Sequence, residues 1–253
     1  MSDEISKAGG PALLETTIAV VHDNNPYSEG FSIAWGFSAF LATGQKNILF
    51  DTGPDPASLL GNMQRLGLDP HIVDLVFLSH IHPDHSGGLE GLLRNHPRVT
   101  VCVPKSLPDK FKQNILQYGT KLIEAEKPIE ICANVYSSGQ LGGLLKEQAL
   151  IMRTARGLVV IIGCAHPGLA AIVTVVQKLF NERIFLLMGG FHLEWASSRK
   201  VEKIASLLEK LQLRYIGACH CSGEKARSLF QRRFGSNYIV IGAGKIITLS
   251  ELP

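Results

Sequence analysis

The chain has 253 residues, 45% of them hydrophobic and 19% charged, with a formal net charge of +3. This is enough apolar material for a large core, near the upper limit of a single one, and the charge is too small to define a nucleic-acid surface, although it suits attraction of an anionic metabolite. Five cysteines, an odd number with no paired spacing typical of secreted scaffolds, argue for reduced thiols, and no apolar run reaches membrane-spanning length.

The opening Met1 to Gly10 carries acids and glycines where a secretory signal needs a basic start and an apolar core, so a soluble cytoplasmic protein is expected. Strands are predicted over Thr16 to Val21, Ser32 to Ala42 and Asn47 to Phe50, then a helix over Pro56 to Leu66. A strand over Asp74 to Ser79, a helix over Gly87 to Arg94, a strand over Val99 to Val103 and a helix over Pro108 to Tyr118 follow. Next come strands Ile129 to Tyr136, Ala149 to Thr154 and Leu158 to Gly163, and a helix over Leu169 to Phe180. The remainder reads as strand Ile184 to Met188, helix Ser197 to Leu211, strand Tyr215 to Ala218, helix Ser222 to Phe234, and strands Tyr238 to Ile241 and Lys245 to Leu249. Lys225, Arg227, Arg232 and Arg233 fall on the last helix and read as a solvated face. No repeat, low-complexity tract or long linker interrupts the pattern, so one domain over residues 1–253 is expected, α/β or α+β by alternation alone.

The stretch Ser79-His80-Ile81-His82-Pro83-Asp84-His85-Ser86-Gly87-Gly88 packs three imidazoles and a carboxylate into six residues after an apolar strand. His80 and His82 leave the strand end together, Pro83 stops the strand, and Asp84 or Ser86 can cap the next helix. Imidazole nitrogen and carboxylate oxygen are ligands that zinc and similar borderline cations accept readily. A polar loop whose histidines face water is the plainer reading, and it does not account for such crowding of donors.

On these residues the chain resembles the metallo-β-lactamase-fold superfamily, whose signature HxHxDH is matched by His80, His82, Asp84 and His85. The resemblance implies a four-layer αβ/βα sandwich. It also implies that Asp51, in Asn47-Ile48-Leu49-Phe50-Asp51-Thr52-Gly53, is the outer carboxylate that steadies the metal loop. Alone, an aspartate before glycine is more often a turn residue.

Further donors follow apolar strands: His166 in Gly163-Cys164-Ala165-His166-Pro167-Gly168, His192 after Met188-Gly189-Gly190-Phe191, and His220 in Ala218-Cys219-His220-Cys221-Ser222-Gly223. One such histidine is more often packed or capping; three after three strands favour ligation by His166 and His220. The chain departs here from the best-known superfamily pattern. No histidine lies between His96 and His166, so the turn Ser138 to Gly143 lacks the usual one, and Cys164 stands where a bridging aspartate is usual. His166 then replaces the missing ligand, with Cys164 a possible thiolate donor. The segments GCAHPG, MGGFHL and ACHCSG resemble one subgroup, which includes the archaeal 7,8-dihydropterin-6-methyl-4-(β-D-ribofuranosyl)aminobenzene 5'-phosphate synthases. Asp23-Asn24-Asn25 and Trp35-Gly36-Phe37-Ser38 fit it too, with Trp35 where histidine is frequent and Phe37 where leucine is.

The resemblance implies one metal on His80, His82 and His166 and a second on Asp84, His85 and His220, roughly 3.5 to 4 Å apart when both are present. Zinc is the expected ion, one or two per chain, with manganese or iron as alternatives. Metal-assisted hydrolysis of a small, anionic ester or phosphoester is the expected reaction. In it Asp84 orients the water, and His192 binds an oxyanion or protonates the leaving group unless it simply packs against Phe191 and Trp195. The alternative is a transferase joining a pterin diphosphate to a ribofuranosylaminobenzene phosphate. A non-catalytic metal-binding protein ranks behind both, since structural zinc sites close with four ligands and six or more are on offer here. The partner expected is a small-molecule substrate, with neither a membrane nor, for want of a basic arm, a nucleic acid; an oligomer is compatible with the sequence.

Overall fold

Two mixed sheets carry the fold, one of seven strands and one of six. The computed structural model describes Leu13 and residues 16–253, so the segment Met1 to Gly10, expected to be no secretory leader, lies outside the described residues. The described residues divide into two compact units, residues 16–126 with Gly242–Pro253, and Leu13 with residues 127–241.

In the first unit the strands are β1 (Thr17–Asp23), β2 (Phe37–Ala42), β3 (Asn47–Phe50), β4 (Leu75–Phe77), β5 (Thr100–Pro104), β6 (Lys121–Ala125) and β13 (Ile246–Thr248), in the order β13-β1-β2-β3-β4-β5-β6. From β3 to β6 they run parallel, which needs crossovers. These contain helices α1 (Pro56–Arg65), α2 (Pro83–Ser86), α3 (Leu89–Asn95) and α4 (Asp109–Leu116). Helix α1 starts where Asp55 accepts the Ser58 N–H at 2.9 Å, with Pro56 in the first turn. Leu49, Val76, Val101 and Val103 face Leu59, Met63, Leu92 and Ile115. The alternate positions Ile48, Phe50, Phe77 and Cys102 are buried as well, giving the near-continuous apolar runs of a parallel sheet.

The second unit has β7 (Ile129–Cys132), β8 (Val135–Ser137), β9 (Leu150–Thr154), β10 (Gly157–Ile162), β11 (Ile184–Gly190) and β12 (Tyr215–Cys219), in the order β12-β11-β10-β9-β8-β7. Helices α5 (Leu169–Phe180), α6 (Ser198–Lys210) and α7 (Gly223–Phe234) bury Ile172, Val176, Val201, Leu208 and Phe230 against it. Arg233 of α7 is paired with Glu202 and Glu209 of α6 rather than simply solvated.

Four sequence expectations are corrected. Residues 32–36 are not strand. The apolar run Ile129 to Tyr136 is a hairpin that reverses at Asn134, whose φ is 61°. Tyr238 makes a single bridge to Ile216 and no strand. The helix expected over Gly87 to Arg94 begins only at Leu89, and a separate short helix, Pro83–Ser86, precedes the two glycines. A Cβ on Gly87 would lie 2.0 Å from the Pro54 carbonyl oxygen, and one on Gly88 2.2 Å from that of Thr52, so both glycines allow a close backbone approach. Strand β6, by contrast, was hidden because Lys121 and Glu124 face solvent on a sheet edge, where charge protects against further pairing.

Candidate metal centre

In the first unit the donors gather at the C-terminal ends of the parallel strands β3 and β4. Asp51 follows β3 in a left-handed conformation, φ 50°, its N–H bonded to the Phe77 carbonyl at 2.8 Å. Its buried carboxylate accepts three hydrogen bonds, from the Ser79 N–H, the Ser79 hydroxyl and His85 Nδ1, each at 2.7 Å. A carboxylate only accepts, so the proton of His85 sits on Nδ1 and that of Ser79 points to Asp51. The Ser79 oxygen then accepts from His80 Nδ1 at 2.9 Å. One carboxylate thus sets both tautomers and turns the Nε2 lone pairs of His80 and His85 to the other edge of each ring.

The rings converge, with the His80 centroid 4.7 Å from that of His82 and 4.3 Å from that of His85. His85 Nε2 and Asp84 Oδ2 are 3.5 Å apart. Two ligands of one tetrahedral ion lie about 3.4 Å apart, so the donor set fits a borderline divalent cation. The loop is held from below by the Thr52 N–H and hydroxyl, which donate to the His85 carbonyl at 2.7 and 3.0 Å.

In the second unit β10, β11 and β12 are parallel neighbours, so the segments that follow them emerge side by side. They deliver Cys164 and His166, His192, and His220 with Cys221. Ala165, His192 and His220 have φ of 57°, 52° and 47°, a strained conformation for such residues that clusters at functional positions. His166 and His192 rings lie 4.6 Å apart.

Glu147, which sequence reasoning misses, organises this unit as Asp51 does the other. Its buried carboxylate accepts the N–H of Cys164 at 2.8 Å, of Ala165 at 2.9 Å and of His166 at 2.7 Å. The signal available was an acid directly ahead of the apolar strand Ala149 to Thr154. Cys221 was also missed as a donor: its Sγ lies 3.3 Å from that of Cys164. The Cys164 contact, with help from His192 and against burial, holds its thiol well below the ordinary range. His192 in turn is shifted upward, mainly by its bond with Cys221. None of the five cysteines is in a disulfide. His192 is exposed and does not pack as a core ring.

The sheets, their order and the strand-end histidines define a metallo-beta-lactamase fold, and the sequence model of the metallo-beta-lactamase superfamily matches residues 36–161. The chain belongs to that superfamily. It is similar to the 7,8-dihydropterin-6-methyl-4-(beta-D-ribofuranosyl)-aminobenzene-5'-phosphate synthase of Methanocaldococcus jannaschii, at 27% identity over 80% of this chain and 84% of the relative. An uncharacterised protein of the same organism is 28% identical over 91% of this chain and 99% of its own. Among solved structures, a metal-dependent hydrolase of the beta-lactamase superfamily superposes with a TM-score of 0.78 at 29% identity, covering 92% of this chain and 98% of the other. The metallo-beta-lactamase fold protein YhfI of Bacillus subtilis, at 13% identity and a TM-score of 0.70, covers 92% and 99% and shares the fold. Among the described residues no helix is long and apolar enough to cross a membrane.

Proposed function

We propose that the protein is a metal-dependent hydrolase of a small, anionic ester or phosphoester metabolite, working in the cytoplasm, where reduced thiols persist. The observation that carries this reading is the hydrogen-bond geometry around Asp51, from which a proton order follows that prepares His80 and His85 as ligands through Ser79 and the carboxylate. Burying an imidazole lone pair is costly unless it is engaged, and a single cation engages several converging ones at once.

In this reading His80, His82 and His166 would hold one ion and Asp84, His85 and His220 a second, with Cys164 as a further candidate donor. When bound, a divalent ion, zinc first and manganese or iron otherwise, supplies Lewis acidity toward the carbonyl or phosphoryl oxygen and eases deprotonation of the attacking water. Asp84 orients that water and accepts its proton. Asp51 and Glu147 keep the two donor loops fixed, which saves reorganisation during the reaction. His192, exposed at the end of β11, delivers a proton to the leaving group.

Elemental analysis of protein purified without chelator, followed by phosphodiester, phosphomonoester and thioester assays, tests this. Close to two ions per chain with turnover supports it; no hydrolysis of any of the three by metal-loaded protein overturns it. The similarity to the archaeal synthase favours a second reading, in which the same residues serve departure of a diphosphate and an aromatic carbon is the nucleophile. Incubation with a pterin diphosphate and a ribofuranosylaminobenzene phosphate separates the two.

A further inference from the structure

We propose that Cys164, His192 and Cys221 form a further site for a thiophilic divalent ion, one that recruits Cys164 from the candidate donors of the histidine centre and takes all three ligands from the second unit. A ring nitrogen of His192 and the two sulfurs all lie within 4.8 Å of one another. The sulfurs are 3.3 Å apart, and two thiolates on one tetrahedral zinc stand about 3.8 Å apart. Roughly half an ångström of opening therefore converts the pair into a chelate.

The surroundings hold these groups in place. The His192 N–H donates to Cys221 Sγ at 3.3 Å, and the N–H groups of Leu193 and Glu194 donate to the Cys221 carbonyl at 3.1 and 3.2 Å. Gly190 leaves room for the sulfur, since a Cβ there would come within 2.8 Å of Cys221 Sγ. Both thiols are buried and His192 is exposed, so an ion enters past the imidazole and keeps its fourth position toward solvent. Two sulfurs and one nitrogen make a softer set than the imidazoles and carboxylate of the HxHxDH loop, and select zinc, cadmium or cobalt(II) over manganese. Each thiol that ligates gives its proton to solvent.

Occupation withdraws His192 from proton transfer, so thiophilic ions in excess of those held by the histidine centre inhibit. That consequence rests on the hydrolase reading, whereas the site itself does not.

The test is titration of reduced apoprotein with cobalt(II), read as thiolate-to-cobalt charge-transfer absorption in the near ultraviolet. The band is expected in the wild type and in His82→Ala, to be lost in Cys164→Ser and Cys221→Ser, and to need about tenfold or more cobalt in the surface variant His192→Ala. Circular dichroism confirms that each serine variant is folded; His192→Ala, on the surface, carries the test if either is not. Cobalt bound with only ligand-field bands overturns the proposal. So does a band that survives Cys221→Ser and vanishes in His82→Ala, because Cys164 would then be a ligand of the histidine centre alone. Hydrolysis lost as the band forms is the expected inhibition; hydrolysis undiminished with the band fully formed would instead count against proton transfer by His192 and leave the site standing.

Discussion

The carboxylate of Glu147 accepts the backbone N–H of His166 at 2.7 Å, and its other oxygen takes those of Cys164 and Ala165. Three consecutive amides on one buried acid fix a turn whose middle residue has φ 57°. In Glu147→Gln an amide NH2 must face at least one of those N–H groups. A buried donor left without an acceptor costs about 1–3 kcal/mol. The variant is expected to melt several degrees lower and, because His166 is displaced, to retain less metal by elemental analysis. Unchanged metal content would remove His166 from the ligand set.

Tyr136, on β8, stacks edge-on against Phe180 with centroids 5.0 Å apart. Burial, and secondarily the charge of Glu130, push its hydroxyl up to about 12. An unfolded tyrosine ionises near 10. Below that both states keep the proton; between 10 and 12 only the unfolded chain releases it, so stability falls as pH rises through that window. Denaturant melts of Tyr136→Phe are expected to show a shallower alkaline decline than wild type, and identical slopes would contradict the assignment.

Gly88→Ala places a methyl 2.2 Å from the Thr52 carbonyl oxygen. The obstacle is backbone, so the loop after α2 must shift, at about 1–3 kcal/mol. Gly61, inside α1, has nothing within 4 Å of its added Cβ. Gly61→Ala is therefore expected to stabilise by about 0.5–1 kcal/mol. Thermal melts of the two apoproteins with opposite signs would confirm that the glycine pair after HxHxDH serves close approach and not flexibility.

The HxHxDH residues were legible in the sequence because donors crowded into one strand-to-helix turn exceed what capping or solvation requires, and His166 and His220 because each follows an apolar run. The strand alternation carried most of the fold for a related reason: parallel strands buried on both faces leave unbroken apolar stretches. Glu147 was not legible, since its partners are backbone amides 17 to 19 residues away and amides leave no mark on a sequence. The Cys164–Cys221 contact joins residues separated by 57 positions through the packing of β10 beside β11 and β11 beside β12. The hairpin at Asn134 escaped because a two-residue reversal inside Ile129 to Tyr136 interrupts no apolar pattern.

Asp51→Asn isolates the proton order in the first unit. If the amide oxygen keeps the Ser79 N–H, its nitrogen replaces the oxygen that now accepts from the Ser79 hydroxyl and His85 Nδ1. Donor then faces donor. His85 is expected to move its proton to Nε2, removing the lone pair a metal needs. The Ser79 hydroxyl, released from the carboxylate, can turn toward His80 and reverse that tautomer as well. Substituting such an outer partner typically costs about 10–100-fold in metal affinity, and equilibrium dialysis against zinc reads it directly. Nitrogen-15 shifts of the two imidazoles in the apoprotein report the tautomers without reference to activity. Wild-type protein should show Nδ1–H on His80 and His85, and Asp51→Asn should show Nε2–H on His85. Wild-type zinc affinity in a variant with inverted tautomers would mean that neither ring is a ligand.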